Sequence, residues 1–240
     1  MLPSPSSNLR NTVTFPPFSD LPAEEDINPR YYSEDPRTCI YRPNRHWAFM
    51  GEIVDVTMFI RLRIDVKDKS GRVLPVWVHT DDRGTDLAQQ CQQGYTLILT
   101  YAERHYFMDG DAGIRLEEGA SVKVVPYSMA ELIGANDIMF EEGRMEKCAC
   151  CGTKESDTTE ALKWCSKCKS AFYCGKECQI KVWGEGHKKD CKVIAAVKWF
   201  TDKDWERFEG WWDRRIPQQR APKPMMTAYV MGDNGKLEPI

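Results

Sequence analysis

The spacing of cysteines between residues 148 and 191 constrains the fold of this 240-residue chain more than any other feature. Eight of the ten cysteines lie in that stretch. Within two of the cysteine pairs, Cys148/Cys151 and Cys165/Cys168, two residues separate the partners. Three residues separate Cys174 from Cys178, and three also separate His187 from Cys191. These positions provide ligands for two four-coordinate zinc ions. The candidate ligands are Cys148, Cys151, Cys165, Cys168, Cys174, Cys178, His187 and Cys191.

Each spacing has a geometric reason. A gap of two residues forms a tight knuckle whose two thiolates point at one metal ion. A gap of three residues places two ligands on one face of a helical turn, as for Cys174 and Cys178 or for His187 and Cys191. Zinc prefers a closed tetrahedral shell of sulfur and nitrogen ligands, which leaves no position open for a substrate. Spacing alone permits both a sequential and an interleaved pairing of the ligands.

One thiol, Cys150, exceeds the number that two zinc ions need. The knuckle that is closed by Gly152 favours Cys151 as the ligand, because glycine gives the exit of the knuckle the flexibility that it needs. Cys150 is then either a spare thiol or an alternative ligand.

The beginning of the chain argues against secretion. Residues 1–6 contain neither the basic region nor the apolar run of a signal peptide. No apolar run reaches the roughly 18 residues that a membrane span needs, so no membrane partner is expected. We therefore expect an intracellular protein, in the nucleus or the cytoplasm, whose cysteines bind metal or remain free thiols.

Residues between the ligands carry a family resemblance. They are Phe172-Tyr173-Cys174, Cys178-Gln179, Trp183 and His187-Lys188. With them, the segment from Cys148 to Cys191 resembles the MYND-type zinc finger. The resemblance implies a cross-braced pairing, in which the two ligand sets alternate along the chain. One zinc ion is then held by Cys148, Cys151, Cys174 and Cys178, and the other by Cys165, Cys168, His187 and Cys191.

The same resemblance implies a function. MYND fingers are mostly protein-interaction modules that take short proline-containing peptides, so a protein is the expected partner. Gln179 and Trp183 match positions that line the peptide groove, and Tyr173 lies beside a ligand cysteine. Other roles remain open for two of them: Trp183 could be a core residue that braces a helix, and Gln179 could be an exposed helical glutamine.

The stretch before the cysteines is predicted to form strands. Apolar and polar residues alternate from Phe59 to Lys67, with Ile60, Leu62 and Ile64 on the apolar face, which is typical of a half-buried strand. Other strands are predicted over 50–56, 73–79, 95–101, 113–116 and 121–125, with a short helix over 85–91. This is the element order of the five-stranded OB barrel. The predicted fold is α+β, with an OB-like barrel at 45–135 before the finger at 144–191.

Residues 46–126 resemble a single-stranded-DNA-binding OB domain, through Gly51 to Val56, Gly94 to Leu97 and Gly113 to Leu116. OB domains often bind single strands with stacked aromatic side chains in a basic groove. Candidate residues here are Trp77, Tyr106 and Phe107 for stacking, with Arg61, Arg63 and Arg104 for phosphates.

Charge argues against that use of the barrel. Residues 46–126 carry 9 basic and 12 acidic residues, a balance of −3. The finger has a formal net charge of +3. This charge becomes −4 when seven cysteines lose their protons, and it returns to 0 when two zinc ions bind. Phosphate contacts supply most non-specific affinity for nucleic acid. Nucleic acid is thus a possible but disfavoured partner, and a barrel that serves as a scaffold or protein-binding surface is favoured.

The two ends of the chain differ in composition from the middle. Residues 1–44 form a Pro-rich leader that is either flexible or an arm packed on the barrel, through Phe15, Phe18, Tyr31, Tyr32 and Tyr41. Residues 192–240 are predicted to form a helical Trp-rich tail. Apolar residues recur there at helical spacing, and Thr201 is a candidate N-cap for a second helix over 202–215.

Enzymatic activity is not expected, although MYND fingers also occur within lysine methyltransferases. We find neither a Gly-rich cofactor loop nor an Asn-His pair of the kind that SET domains use. The sequence before the finger is occupied by a barrel of about eighty residues. The preferred function is therefore a zinc-binding adaptor, and the alternative is a protein that binds single-stranded nucleic acid through the barrel.

Overall fold

The computed structural model describes residues 3–24, 26–157, 161–212, 229–231 and 237–239. Two compact units are present, Met1–Phe208 and Glu209–Ile240. The first unit contains the leader, the barrel and the finger together. Within the described ranges, no helix combines the length and the apolar character that crossing a membrane requires.

The leader is a packed arm rather than a flexible segment. It contains a hairpin of two antiparallel strands, β1 (Tyr32–Asp35) and β2 (Ile40–Pro43). The side chains of Leu9, Phe15 and Tyr31 are fully buried. Tyr41 differs from the expectation, because it is exposed. The prolines exclude long helices here, but the aromatic residues between them supply enough apolar surface to hold the arm in place.

A single sheet of seven strands forms the barrel. Its strands are β3 (Ala48–Met58), β4 (Leu62–Asp68), β5 (Val73–Val78), β6 (Thr96–Thr100), β7 (His105–Tyr106), β8 (Ala112–Leu116) and β9 (Val122–Val125). A short helix, α1 (Thr85–Ala88), lies between β5 and β6. The order across the sheet is β7-β8-β5-β4-β3-β6-β9, and only β5 and β8 pair in parallel.

The connection between β8 and β9 explains how the sheet closes. A short 3₁₀ turn at Gly119–Ser121 joins the two strands, of which β8 pairs with β5 and β9 pairs with β6. Together they act as one interrupted fifth strand that bridges both edges of a four-stranded sheet. This arrangement, with α1 before the fourth strand, is the OB-like topology that the element order predicted.

Two details of the barrel differ from the prediction. Ile60 does not face the core with Leu62 and Ile64, because it lies in the turn between β3 and β4 and is 62% exposed. The helix α2 (Met129–Met139) was not predicted. Its signal was present in the sequence as a capping box, in which Ser128 and Glu131 each accept a hydrogen bond from the other's backbone N–H.

The finger follows α2 directly. It contains a small hairpin, β10 (Lys163–Trp164) and β11 (Phe172–Tyr173), and two helices, α3 (Lys176–Val182) and α4 (Lys188–Thr201). The turn between the helices includes Gly186, whose φ of 151° breaks the helical path. Because few other residues adopt this φ, glycine is required at that kink.

The tail differs from the prediction after Thr201, which ends α4 instead of starting a second helix. The Trp205 indole N–H donates to the carbonyl oxygen of Phe200 at 2.8 Å, and the backbone N–H of His46 donates to the carbonyl oxygen of Trp205 at 2.9 Å. These bonds turn the chain back onto the barrel, so residues 202–212 are not helical. The rest of the predicted second helix falls outside the described residues. In the second unit, β12 (Tyr229–Met231) and β13 (Leu237–Pro239) pair as a hairpin.

Arm, barrel and finger share one core. The ring of Phe15 lies 5.6 Å from that of Phe200 and 4.7 Å from that of Trp205, in edge-to-face contacts. On the barrel, the Lys69 ammonium donates to the carbonyl oxygens of Leu9 and Phe15. Helix α2 packs against α4. The finger is therefore held against the barrel by buried contacts on both sides of the zinc-ligand segment.

Candidate metal centre and interaction surfaces

The first ligand cluster brings together Cys148, Cys151, Cys174 and Cys178, whose sulfur atoms all lie within 4.8 Å of one another. The sulfur of Cys174 is 3.6 Å from that of Cys151 and 3.5 Å from that of Cys178. A tetrahedral zinc ion with Zn–S bonds of about 2.3 Å needs sulfur atoms about 3.8 Å apart. The cluster therefore fits zinc with little movement.

The second cluster consists of Cys165, Cys168, His187 and Cys191, again within 4.8 Å. The sulfur atoms of Cys165 and Cys191 are 3.7 Å apart, and the sulfur of Cys168 lies 3.6 Å from Nε2 of His187. All four residues are buried. These distances also match the edges of a tetrahedral zinc shell.

The two clusters confirm the cross-braced pairing and the expectation of two zinc ions. The first knuckle and the Cys174–Cys178 turn make one site, while the second knuckle and the His187–Cys191 turn make the other. Local hydrogen bonds favour the knuckles, since the backbone N–H of Gly152 donates to the carbonyl oxygen of Cys148 at 2.9 Å. No sequential pairing can form, because each knuckle lies against a turn that is distant in sequence.

Burial and hydrogen bonds shift the pKa values of the ligands in different directions. A hydrogen bond with the Thr153 hydroxyl lowers the pKa of Cys151 to about 6. Burial lowers the pKa of His187, which keeps its imidazole neutral as a zinc ligand requires. Burial raises the pKa of Cys191 to about 12, and a zinc ion reverses this by binding the thiolate directly. Cys150 is partly exposed and belongs to neither cluster.

The three residues that the resemblance assigns to a partner lie in different environments. Tyr173 is only 1% exposed, and its ring lies 6.2 Å from that of His187 in the interior of the finger. Trp183 is 39% exposed and has its ring 5.9 Å from the His187 ring. Gln179 is half-buried on α3, one turn before Trp183. The structure thus places two of the three residues at the surface and Tyr173 behind a metal ligand.

A second exposed apolar residue lies near Trp183. Ile180, which sequence reasoning did not select, is 61% exposed and lies three residues before Trp183 on the same side of α3. We call Gln179, Ile180 and Trp183 the α3 patch.

A second surface lies on the barrel. Arg63 on β4, Trp77 on β5 and Arg115 on β8 are direct neighbours across three strands, so the tryptophan is flanked by two arginines on one face. The Arg63 guanidinium lies 5.4 Å from the centre of the Trp77 ring. The Phe107 ring is 6.4 Å from the Trp77 ring. We call Arg63, Trp77, Phe107 and Arg115 the barrel strip.

The other barrel residues that were candidates for nucleic-acid contacts differ in their exposure. Arg61 lines the same open cleft as Trp77, and Tyr106 is 67% exposed. Arg104 is different, because its backbone pairs with the arm at Pro22 and its Nε atom is buried. Arg104 as a whole is half-buried, so it offers a phosphate less accessible surface than an exposed arginine does. Arg115, which was not selected from the sequence, takes its place next to Trp77.

The family model of the MYND finger matches residues 148–191. Residues 148–191 form a MYND finger. A MYND finger is a zinc-binding module of the kind that mediates protein interactions. A SET and MYND domain-containing protein of Dictyostelium discoideum is 43% identical over 44 residues, 18% of this chain and 8% of that protein. The N-lysine methyltransferase SMYD2-A of Danio rerio is 42% identical over 50 residues, 21% of this chain and 10% of that protein.

The chain spans a tenth or less of these curated relatives, so the similarity is confined to a segment of about the finger's length. Solved structures give only a distant likeness. Schizosaccharomyces pombe Pot1pC bound to ssDNA is 11% identical, covering 42% of this chain and 94% of that chain, with a TM-score of 0.30. A murine DNA binding protein bound with ds DNA is 19% identical, and the match covers 35% of this chain and 43% of that chain, with a TM-score of 0.27. Likeness at this level does not indicate what the barrel binds.

Proposed function

We propose that this protein is a non-catalytic intracellular adaptor whose MYND finger docks a short proline-containing peptide on the α3 patch. The observation that carries the proposal is the exposure of Ile180 on α3 and of Trp183 directly after α3, with the half-buried Gln179 one turn before Trp183. Exposed apolar side chains grouped on a small domain are typical of a protein-binding surface.

The chemistry of the patch suits an extended peptide. A proline-containing segment is already extended in solution, so it loses little conformational entropy on binding. Its prolines can pack on the flat face of Trp183, whose ring is held in place by His187, while the Gln179 amide can hydrogen-bond the peptide backbone. Because the patch is small, a few contacts must supply the affinity, which we expect to be modest.

The zinc sites support a structural rather than a catalytic role for the finger. Each cluster supplies four protein ligands, which completes the tetrahedral shell and leaves no place for an activated water. When bound, zinc supplies folding energy here instead of a Lewis acid for catalysis. The methyltransferase name of one relative concerns a protein of which this chain covers only 10%.

Replacement of Trp183 by alanine tests the proposal. Peptides are first selected from a library of random ten-residue sequences on the whole zinc-loaded chain, and we expect proline to be enriched among them. Trp183→Ala should then weaken binding of the selected peptides by about 30-fold or more, as the loss of a hot-spot tryptophan does. Fluorescence anisotropy measures the affinity, and elemental analysis should still find two zinc ions per chain.

Trp77→Ala is the matched control, since it removes a partly exposed tryptophan from the barrel instead of the finger. This variant should bind the selected peptides as the unaltered chain does. The proposal is wrong if the selected peptides lack proline, or if Trp183→Ala binds them unchanged. Loss of zinc from Trp183→Ala would show that the residue is a structural brace of the finger.

Single-stranded nucleic acid is a second candidate ligand, supported by the row of Arg63, Trp77 and Arg115. The chain is acidic as a whole, but this strip places two guanidinium groups beside an aromatic face, which suits a base and its phosphates. Both arginines are already paired with carboxylates, Arg63 with Asp65 at 2.9 Å and Arg115 with Glu117 at 2.8 Å. A phosphate must compete with these carboxylates, so the affinity should be low.

A titration with an unstructured oligonucleotide tests this candidate. Two or three phosphate contacts predict a slope of about −2 for the logarithm of the binding constant against the logarithm of salt concentration. Trp77→Ala should reduce the affinity about tenfold, because stacking on one aromatic side chain is worth about 1–3 kcal/mol per base. Trp183→Ala should have no effect. Absence of binding at low salt, or equal binding by Trp77→Ala, would exclude the barrel strip as a nucleic-acid site.

A further inference from the structure

A cleft of about 530 Å³ lies between the finger and the end of α2. One wall comes from the finger, with Val182, Glu185 and Ile194. The other wall comes from the end of α2 and the segment after it, with Ile138 and Glu141. The finger alone therefore does not form this cleft, which exists only because α2 packs against α4.

The cleft adjoins the α3 patch. Val182 and His187 line it, and Trp183 lies between them in sequence with its ring 5.9 Å from the His187 ring. A peptide that contacts Trp183 therefore lies near a residue of the cleft lining, His187. The cleft is accordingly a candidate extension of the site proposed above, and the inference rests on that proposed function.

The charge of the cleft is negative. Its lining contains three carboxylates, those of Glu141, Glu185 and Asp190, and two cations, Arg144 and Lys147. The Lys147 ammonium is bound to Glu141 at 3.0 Å, so one negative and one positive charge cancel. The Arg144 guanidinium is directed at the protein, because its Nε atom donates to the Ser170 carbonyl at 2.8 Å and its Nη1 atom to the Ile138 carbonyl at 3.0 Å.

The metal centres add to this negative charge. Four thiolates around one Zn²⁺ carry a net charge of −2, and three thiolates with a neutral histidine carry −1. Cys148 of the first cluster and His187 of the second both line the cleft. The exposed lysines of the neighbouring helices, such as Lys181 and Lys188, do not line it. The lining therefore favours a cation over an anion.

We propose that this cleft binds an arginine or lysine side chain of the docked peptide, next to the proline-containing stretch that lies on the α3 patch. The apolar walls formed by Ile138, Val182 and Ile194 pack against the aliphatic stem, while Glu185 and Asp190 at the rim pair with the charged head. Ile138 and Glu141, which precede the finger, thereby contribute to its specificity: the preferred partner is a peptide in which a basic residue and a proline are close in sequence.

The library selection tests this proposal independently of the proposed function. Selected peptides should be enriched in arginine or lysine within a few residues of the proline. Replacing that basic residue by alanine should lower the affinity about five- to tenfold, and replacing it by glutamate should lower it further. Enrichment of proline without a basic neighbour would overturn the cleft proposal and leave the α3 patch intact. Absence of proline enrichment would overturn both.

Two pairs of charge-reversal variants test whether the basic residue of the peptide binds in the cleft. Glu141→Lys and Glu185→Lys change residues that line the cleft, on the α2 side and the finger side respectively. Glu142→Lys and Glu177→Lys are matched controls, because these exposed glutamates lie nearby but not in the cleft. Only the first pair should lower the affinity for the arginine-containing peptide, about tenfold, while the affinity for its alanine version stays the same.

Two results would overturn the cleft proposal. Equal losses in Glu141→Lys and Glu142→Lys would show a general charge effect and overturn the cleft proposal. Unchanged affinity in both cleft variants would also overturn it. Zinc content and circular dichroism of every variant should match the unaltered chain, since all four glutamates are exposed.

Discussion

Removal of zinc should unfold the finger and leave the barrel folded. Structural zinc contributes an apparent binding free energy of about 10–16 kcal/mol in finger peptides, and a segment of this size has little core of its own. We expect a strong chelator to abolish the protection of backbone amides over 148–191 against hydrogen exchange. The barrel strands should keep their protection, because their sheet contains no zinc ligand.

Two single-cysteine variants distinguish the loss of a zinc ligand from the loss of a thiol that does not bind zinc. Cys168→Ser removes a fully buried ligand of the second cluster and should leave at most one zinc ion per chain. Cys150→Ser removes the neighbouring thiol that lies outside both clusters, and should retain two zinc ions and full protection. Elemental analysis measures the stoichiometry. Two zinc ions in folded Cys168→Ser, or zinc loss in Cys150→Ser, would show that the ligand assignment is wrong.

A substitution in the arm should strongly destabilise the fold. Phe15→Ala removes a fully buried ring that contacts Phe200 and Trp205, and is expected to lower the free energy of unfolding by about 3–5 kcal/mol. The physical reason is a cavity at the point where arm, barrel and finger meet. Urea denaturation followed by tryptophan fluorescence measures the change.

Phe59→Ala is the matched control for Phe15→Ala. The Phe59 side chain is 88% exposed in the turn between β3 and β4, so its removal should change the free energy of unfolding by no more than about 0.5 kcal/mol. Equal effects of the two substitutions would mean that the arm does not belong to the core.

The zinc sites were the most predictable part of the molecule. A tetrahedral zinc ion restricts both the type and the spacing of its ligands, so the eight residues could be identified from the sequence. The pairing could not, because either pairing satisfies the spacing, and only the family resemblance favoured the interleaved one. The barrel was predictable for a similar reason, since the period-two pattern of residues such as Leu62, Ile64 and Val66 marks a strand.

The arm, the tail and the cleft depend on contacts between distant residues. Phe15 and Phe18 could equally have belonged to a flexible segment. Their contacts with Phe200, Trp205 and Asp68, which are distant in sequence, hold them in the core. The cleft requires residues from α2 and from α4, and the sequence pattern contains no signal for their packing. Helix α2 itself was missed although its capping box was visible.

Mapping of a peptide titration on the isotope-labelled whole chain is the most direct test of the claim that the finger is the docking site. In nuclear magnetic resonance spectra, the zinc-loaded protein titrated with a selected peptide should show shifts for the Trp183 indole, Gln179 and Ile180. The Trp77 indole on the barrel strip should not shift. Shifts centred on Trp77 and Phe107, with the Trp183 indole unchanged, would contradict the account.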